Sequence, residues 1–146
     1  MIPGELFPYF FMNRMSIGEI LKSNTVIAIV GFSDNHTRPS NRIGRYLLGN
    51  GYNVYGINPK LENKIVDEIR CFASLKDLPV SAGIINIFRR SEFLYDLMKE
   101  IIQLKLKPKV VWTQIGVISR EAGSLAEENG ILYIENKCIM VEHTLI

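Results

Sequence analysis

From Thr25 onward, short apolar runs alternate with amphipathic stretches. Alternation of this kind marks successive βαβ units, whose parallel strands are buried on both faces. Val26-Ile27-Ala28-Ile29-Val30 reads as such a strand and runs into Gly31. Pro39 suits the first turn of a helix, Ile43, Tyr46 and Leu47 give that helix one apolar face, and Asn50-Gly51 stops it. Tyr52–Ile57 forms a second strand, Ala82–Ile87 a third, Lys109–Gln114 a fourth and Ile131–Ile134 a fifth. After Ser91, the residues Phe93, Leu94, Leu97, Met98, Ile101 and Ile102 recur at helical spacing, a stripe that faces a core. Ser119 caps a further helix ending at Asn129-Gly130. Residues 60–79 are only weakly periodic, and nothing stronger than a turn of helix at Ser74–Leu78 is predicted there. These elements predict an α/β fold: a Rossmann-like, doubly wound sheet of about five parallel strands in three α/β/α layers.

The beginning of the chain differs. Residues 1–15 are apolar and aromatic, with Leu6, Phe7, Phe10 and Phe11. They lack the basic start and small-residue cleavage site of a signal peptide, and Pro3 and Pro8 interrupt them. Ser16-Ile17-Gly18-Glu19 is a capping-box pattern that opens a helix. The reading is therefore an N-terminal arm over 1–15, either a docking segment or an extended start, followed by one domain over 16–146. No run approaches the roughly 18 apolar residues of a membrane span. With 17 basic and 15 acidic residues among 146 and a net charge of +2, neither nucleic acid nor a membrane is expected as a partner. Cys71 and Cys138 are far apart, so they imply neither a zinc site nor a disulfide framework. A cytoplasmic setting follows as the expectation.

Open parallel sheets bind ligands beyond the carboxyl ends of their strands. The first four strands run there into Gly31-Phe32-Ser33-Asp34, Asn58-Pro59-Lys60, Phe88-Arg89-Arg90 and Gln114-Ile115-Gly116. Solvated turns are the plain reading of such loops; a shared crevice is the functional one. Gly31 allows close approach of backbone to ligand, Ser33 offers a hydroxyl, and a helix starting near Pro39 directs its positive end outward, which suits a phosphate. Asp34 opposes that reading through its charge. The dinucleotide fingerprint G-x-G-x-x-G is not present, because Ser33 and His36 occupy its second and third glycine positions. NAD-binding folds also place an acid after the second strand, whereas this chain has Asn58-Pro59-Lys60. Lys60 instead suits a phosphate on an adenosine ribose, which coenzyme A carries at its 3′ and NADP at its 2′ position. Of the adjacent Arg89 and Arg90, one suits a pyrophosphate and the other reads as a surface charge.

On these residues the chain resembles the small bacterial and archaeal CoA-binding proteins, whose domain is similar to the CoA-binding N-terminal domain of the succinyl-CoA synthetase α subunit. The resemblance runs from Ser16 to the C-terminus. It rests on Gly31-Phe32-Ser33-Asp34, Arg38-Pro39-Ser40, Arg45–Leu48 with Gly51-Tyr52, Asn58-Pro59-Lys60, Ser74-Leu75, Ile87–Arg90, Val111–Val117 and Cys138–His143. It implies a five-stranded parallel sheet and a coenzyme A site. That site would be built from Gly31, Phe32 and Ser33, from Arg38, Pro39 and Ser40, from Asn58, Pro59 and Lys60, from Phe88, Arg89 and Arg90, and from Gln114 and Gly116. Thr113 stands where an apolar residue is expected.

No motif pairs a nucleophile with a base, and His36 and His143 are the only histidines. The leading expectation is a module that binds coenzyme A or an acyl-CoA without catalytic residues or metal of its own, working as a homodimer or with a catalytic partner protein. Two rivals stay open: an enzyme that uses NADP or another nucleotide, and a ligand-free interaction domain on the same fold. Replacing Gly31 with valine is expected to abolish binding and spare the fold.

Overall fold

The computed structural model describes residues 17–146. The arm over 1–15 and the Ser16 cap lie outside the described residues. A short helix α1 (Ile17–Ser23) leads into β1 (Val26–Val30), α2 (Pro39–Gly49) and β2 (Asn53–Ile57). Then come β3 (Ile65–Val66), β4 (Ile69–Phe72), β5 (Ile84–Ile87), α3 (Leu94–Ile101), β6 (Val110–Thr113), α4 (Arg120–Glu128), β7 (Leu132–Ile134) and α5 (Ile139–Thr144). The seven strands lie in the order β3-β4-β2-β1-β5-β6-β7. All neighbours are parallel except the β3–β4 pair.

Side chains along a strand alternate between its faces, and here both faces are covered. Ile27 and Ile29 of β1, Ile84 of β5 and Trp112 of β6 join Leu21, Ile43, Leu47 and Ile139, from α1, α2 and α5, in one core. Ala28, Val30, Ile85, Ile87 and Val111 join Leu94, Met98, Ala122 and Ala126, from α3 and α4, in the other. Each large side chain fully buried in these layers contributes about 1.5–3 kcal/mol. The three-layer α/β/α fold is therefore as expected, and the largely apolar runs of β1, β5 and β6, interrupted only by Asn86 and Thr113, are its cause.

The sheet has two more strands than expected, both in the weakly periodic 60–79 segment. Asp67 and Glu68 join β3 to β4 with φ of 50° and 68°. Two successive left-handed residues make the two-residue hairpin turn that is usually signalled by Asn-Gly or Asp-Gly. Asp-Glu carries no such signal, and a strand of two residues carries no periodicity. At the other end of the chain, the Tyr46 hydroxyl lies 2.8 Å from His143 Nδ1, and the rings of Tyr46 and Tyr52 meet the imidazole edge-on. His143 thus pins α5 to α2. Thr113 is fully buried, but its hydroxyl donates to Val117 O at 2.7 Å and accepts from Asn136 N–H at 2.9 Å. That satisfied pair of bonds explains a polar residue in an apolar strand.

Candidate functional site at the carboxyl edge of the sheet

The chain winds from β1 toward β2 and β4 on one side, then crosses to β5, β6 and β7 on the other. The switch point lies between β1 and β5, the place at the carboxyl edge where doubly wound sheets take their ligands. Gly31 follows β1 there with φ of 86°. Its N–H donates to Ile57 O at 3.0 Å, and the Phe88 N–H donates to Val30 O at 2.9 Å. A Cβ at Gly31 would lie 2.6 Å from the Phe88 carbonyl oxygen. Glycine is needed here both for its left-handed backbone and for the close approach of the two loops.

Further bonds join the predicted segments into one rim. Asn58 Nδ2 donates to Phe32 O at 2.9 Å, and Asn58 Oδ1 accepts from Lys60 N–H at 2.9 Å. The end of β2 is thereby fastened to the Gly31 loop, and Pro59 and Lys60 are held in a single 3-10 turn, Pro59–Leu61. Ser91 Oγ donates to Gly116 O at 3.2 Å and accepts from Ile118 N–H at 2.8 Å, joining the loops after β5 and β6. Ser33 Oγ accepts from Asn35 N–H at 3.0 Å, which leaves the Ser33 hydroxyl proton free to donate. Arg38 caps α2 from extended backbone with no side-chain hydrogen bond, and Pro39 follows at the first turn. An uncapped helix start of this kind presents N–H groups and a positive dipole end.

The predicted residues differ in what they expose. Lys60, Arg38, Arg89 and Arg90 are exposed. Both arginines stack on the Phe93 ring, at 4.9 and 5.1 Å from its centroid, and Arg90 also pairs with Glu92 at 3.0 Å. Among the described residues, Arg89, Lys60 and Arg38 make no ion pair, so Arg89 is the freer of the two arginines. Phe32 is fully buried; its ring fills the space over Gly44 and Gly56, where a Cβ would lie 2.9 and 2.5 Å from it. Its side chain is therefore core, and only its backbone faces the rim. Ser40 is buried and Phe88 half-buried. Gly116 N–H is occupied by Asn136 Oδ1 at 2.7 Å. Gln114 Oε1 is buried with no hydrogen-bond partner.

Several residues that shape the rim lie outside the predicted site residues. Asn41, fully buried, donates from Nδ2 to Ser33 O at 2.9 Å and to Asp67 Oδ2 at 3.0 Å. Arg45 donates to Asn41 Oδ1 at 2.8 Å and to His36 O at 2.9 Å, and His36 Nδ1 lies 3.3 Å from the same Asp67 oxygen. The loop after β1 is thus fastened to the β3–β4 turn by a network spread over three sequence segments. Beyond β7, Glu135 Oε2 accepts from Ser119 N–H at 2.9 Å and from the Tyr133 hydroxyl at 2.7 Å. Burial, that hydrogen bond and the carboxylate charge hold the Tyr133 phenol well above its ordinary range. A separate groove of about 920 Å³ runs beside α3, with Ser74, Lys76, Glu100 and Leu106 in its walls. None of the predicted rim residues lines it, and two of its charges, Asp96 and Lys99, neutralise each other at 2.9 Å.

Cys71 is buried at 2% exposure, and that burial pushes its thiol up to about 11. The thiolate is the reactive form, so Cys71 stays inert across neutral pH and gains reactivity only as pH rises toward that value. Titration of the native protein with a thiol reagent at pH 7.5 is expected to modify Cys138, which is half-exposed, and to spare Cys71 until the chain is unfolded. Rapid labelling of both in the native state would contradict this burial.

A family model described as a CoA binding domain matches residues 25–144. The uncharacterized protein YneT of Bacillus subtilis (strain 168) is 32% identical over 133 residues, which span 91% of this chain and 96% of that protein. A hypothetical protein from Pyrococcus horikoshii OT3 superimposes with a TM-score of 0.81 at 35% identity, over 89% of each chain. A Thermus thermophilus structure superimposes with a TM-score of 0.81 at 30% identity, over 99% of this chain and 98% of that one. Among the described residues, no helix is long and apolar enough to cross a membrane.

Proposed function

Because the chain belongs to the CoA binding domain family, matched over residues 25–144, we propose that it binds coenzyme A at this rim and performs no chemistry on it. The observation that carries the reading is the Gly31 turn, where any Cβ would strike the Phe88 carbonyl, with the exposed cations Arg38, Lys60 and Arg89 on the loops around it. In this reading the pyrophosphate lies over the Gly31–Ser33 turn and the start of α2, where the Ser33 hydroxyl and backbone N–H groups donate to it. Arg89 adds a charge-assisted bond from the loop after β5. Lys60, on its 3-10 turn, meets the 3′-phosphate of the adenosine ribose. Asn58 and Asn41 act indirectly, by holding the turns that carry the contacts.

The reading without catalysis is supported by the state of the reactive groups. His143 is engaged by Tyr46, His36 faces Asp67, and Cys71 is kept as a thiol by burial. None of these is a nucleophile held by a base. Thermal unfolding with coenzyme A, dephospho-CoA, NAD and NADP tests the proposal. A ligand at about 100 times its dissociation constant adds about 2.7 kcal/mol, so coenzyme A is expected to raise the midpoint by several degrees and dephospho-CoA by less. A rise with NADP alone would replace this reading with a nucleotide-dependent enzyme. No rise with any ligand would favour a domain that works through protein contacts.

A further inference from the structure

We propose that the N-terminal arm, residues 1–15, folds back over its own chain and covers an apolar face formed by α5 and the start of α1. Val141, Leu145 and Ile146 are 48%, 74% and 48% exposed. Val141 and Leu145 stand one helical turn apart and share one side of α5. The opposite side is taken by Ile139, which is fully buried, and by His143, which Tyr46 holds. The last turn continues through Ile146, whose N–H donates to His143 O at 3.3 Å. The three side chains thus stand on fixed backbone, and an apolar face of this kind on a folded domain is a contact surface.

The place where α1 begins points to the occupant. A Cβ on Gly18 would lie 3.2 Å from Ile146 Cγ2, so the chain enters α1 directly against the exposed end of α5. The segment arriving there carries Ile2, Leu6, Phe7, Phe10, Phe11 and Met12, and its only charges over 1–15 are Glu5 and Arg14. Fifteen residues extend to about 50 Å at most, whereas the six residues of α5 span about 9 Å. The arm is therefore long enough to cross the face. Attachment at Ile17 also holds it near the face at an effective concentration on the order of millimolar. A second copy fits less well, because a stable dimer takes roughly 20–30 residues from each side and this face offers three exposed apolar side chains. The inference is independent of the ligand at the rim.

Chymotrypsin cleavage of the full chain, read by mass spectrometry, measures whether the arm is covered, since cleavage follows the population of the open form. Burial of one large apolar side chain corresponds to roughly tenfold or more in that population. Cleavage after Phe11 is accordingly expected to be at least about tenfold slower than in a synthetic peptide of residues 1–15. Val141→Ser/Leu145→Ser is expected to remove most of that protection in a protein that still unfolds cooperatively. Phe7→Ser/Phe10→Ser is expected to do the same, and it lies outside the residues of both cores, so it decides the matter even where the α5 variant does not fold. Wild-type cleavage as fast as that of the free peptide overturns the proposal. So does protection that survives the α5 substitutions in a folded protein, or that survives the substitutions in the arm. Protection that grows with protein concentration, beside a dimer in sedimentation that Val141→Ser/Leu145→Ser dissociates, assigns the face to a second copy and overturns it as well.

Discussion

Gly31→Val is expected to lower the free energy of unfolding by about 2–6 kcal/mol, a large fraction of the stability margin of an ordinary domain. Two costs add. A β-branched residue held at the φ of 86° found here is strained by about 1–3 kcal/mol. Forcing its side chain into a packed contact costs about 1–3 kcal/mol more, because the Cβ would come within 2.6 Å of the Phe88 carbonyl. That atom belongs to the backbone of β5's loop and cannot rotate away. From sequence alone, this substitution was expected to spare the fold and remove binding; the Phe88 carbonyl changes that expectation, since the fold itself depends on this close approach. Denaturant unfolding measures the effect directly. A stability within about 0.5 kcal/mol of wild type would mean that the two loops separate freely.

Lys60→Ala is expected to weaken coenzyme A binding by about 1–3 kcal/mol, or roughly 5- to 150-fold, the usual cost of removing one partner of a charged hydrogen bond. Its effect on stability is expected to be small, because Lys60 is exposed and its turn is held by backbone and Asn58 bonds rather than by its own side chain. The informative comparison is with dephospho-CoA, which lacks the 3′-phosphate. If Lys60 meets that group, the two losses are not additive, and the variant binds both ligands about equally. A variant that weakens both ligands by the same factor would place the Lys60 ammonium elsewhere on the rim.

Much of the fold was legible because its central strands are buried on both faces and therefore spell apolar runs, unbroken in Val26–Val30 and broken only by Asn86 in Ile84–Ile87. The rim was legible for a related reason. Strand ends locate it, and the glycine and cations that follow them are visible one residue type at a time. What stayed hidden depends on three-dimensional partnership. The β3–β4 hairpin turns through Asp67 and Glu68 in conformations more typical of glycine or asparagine, and the network through Asn41 fixes that turn instead of local propensity. Phe32 looked like part of the rim because it sits between Gly31 and Ser33. Its ring is drawn inward by the absence of side chains at Gly44 and Gly56. Thr113 looked out of place until Val117 and Asn136 supplied its partners.

The same short hairpin also determines how the sheet ends. Strands at the margin of a sheet invite other chains to add to them. On this side β4 is shielded by a partner of only two residues, running antiparallel to it. The turn that presents this partner is tethered through Asp67 to Asn41 on α2. A second molecule approaching along this margin finds only a two-residue strand on which to begin a ladder. The tether that shapes the loop after β1 thus also leaves this margin of the sheet little backbone for another chain to extend.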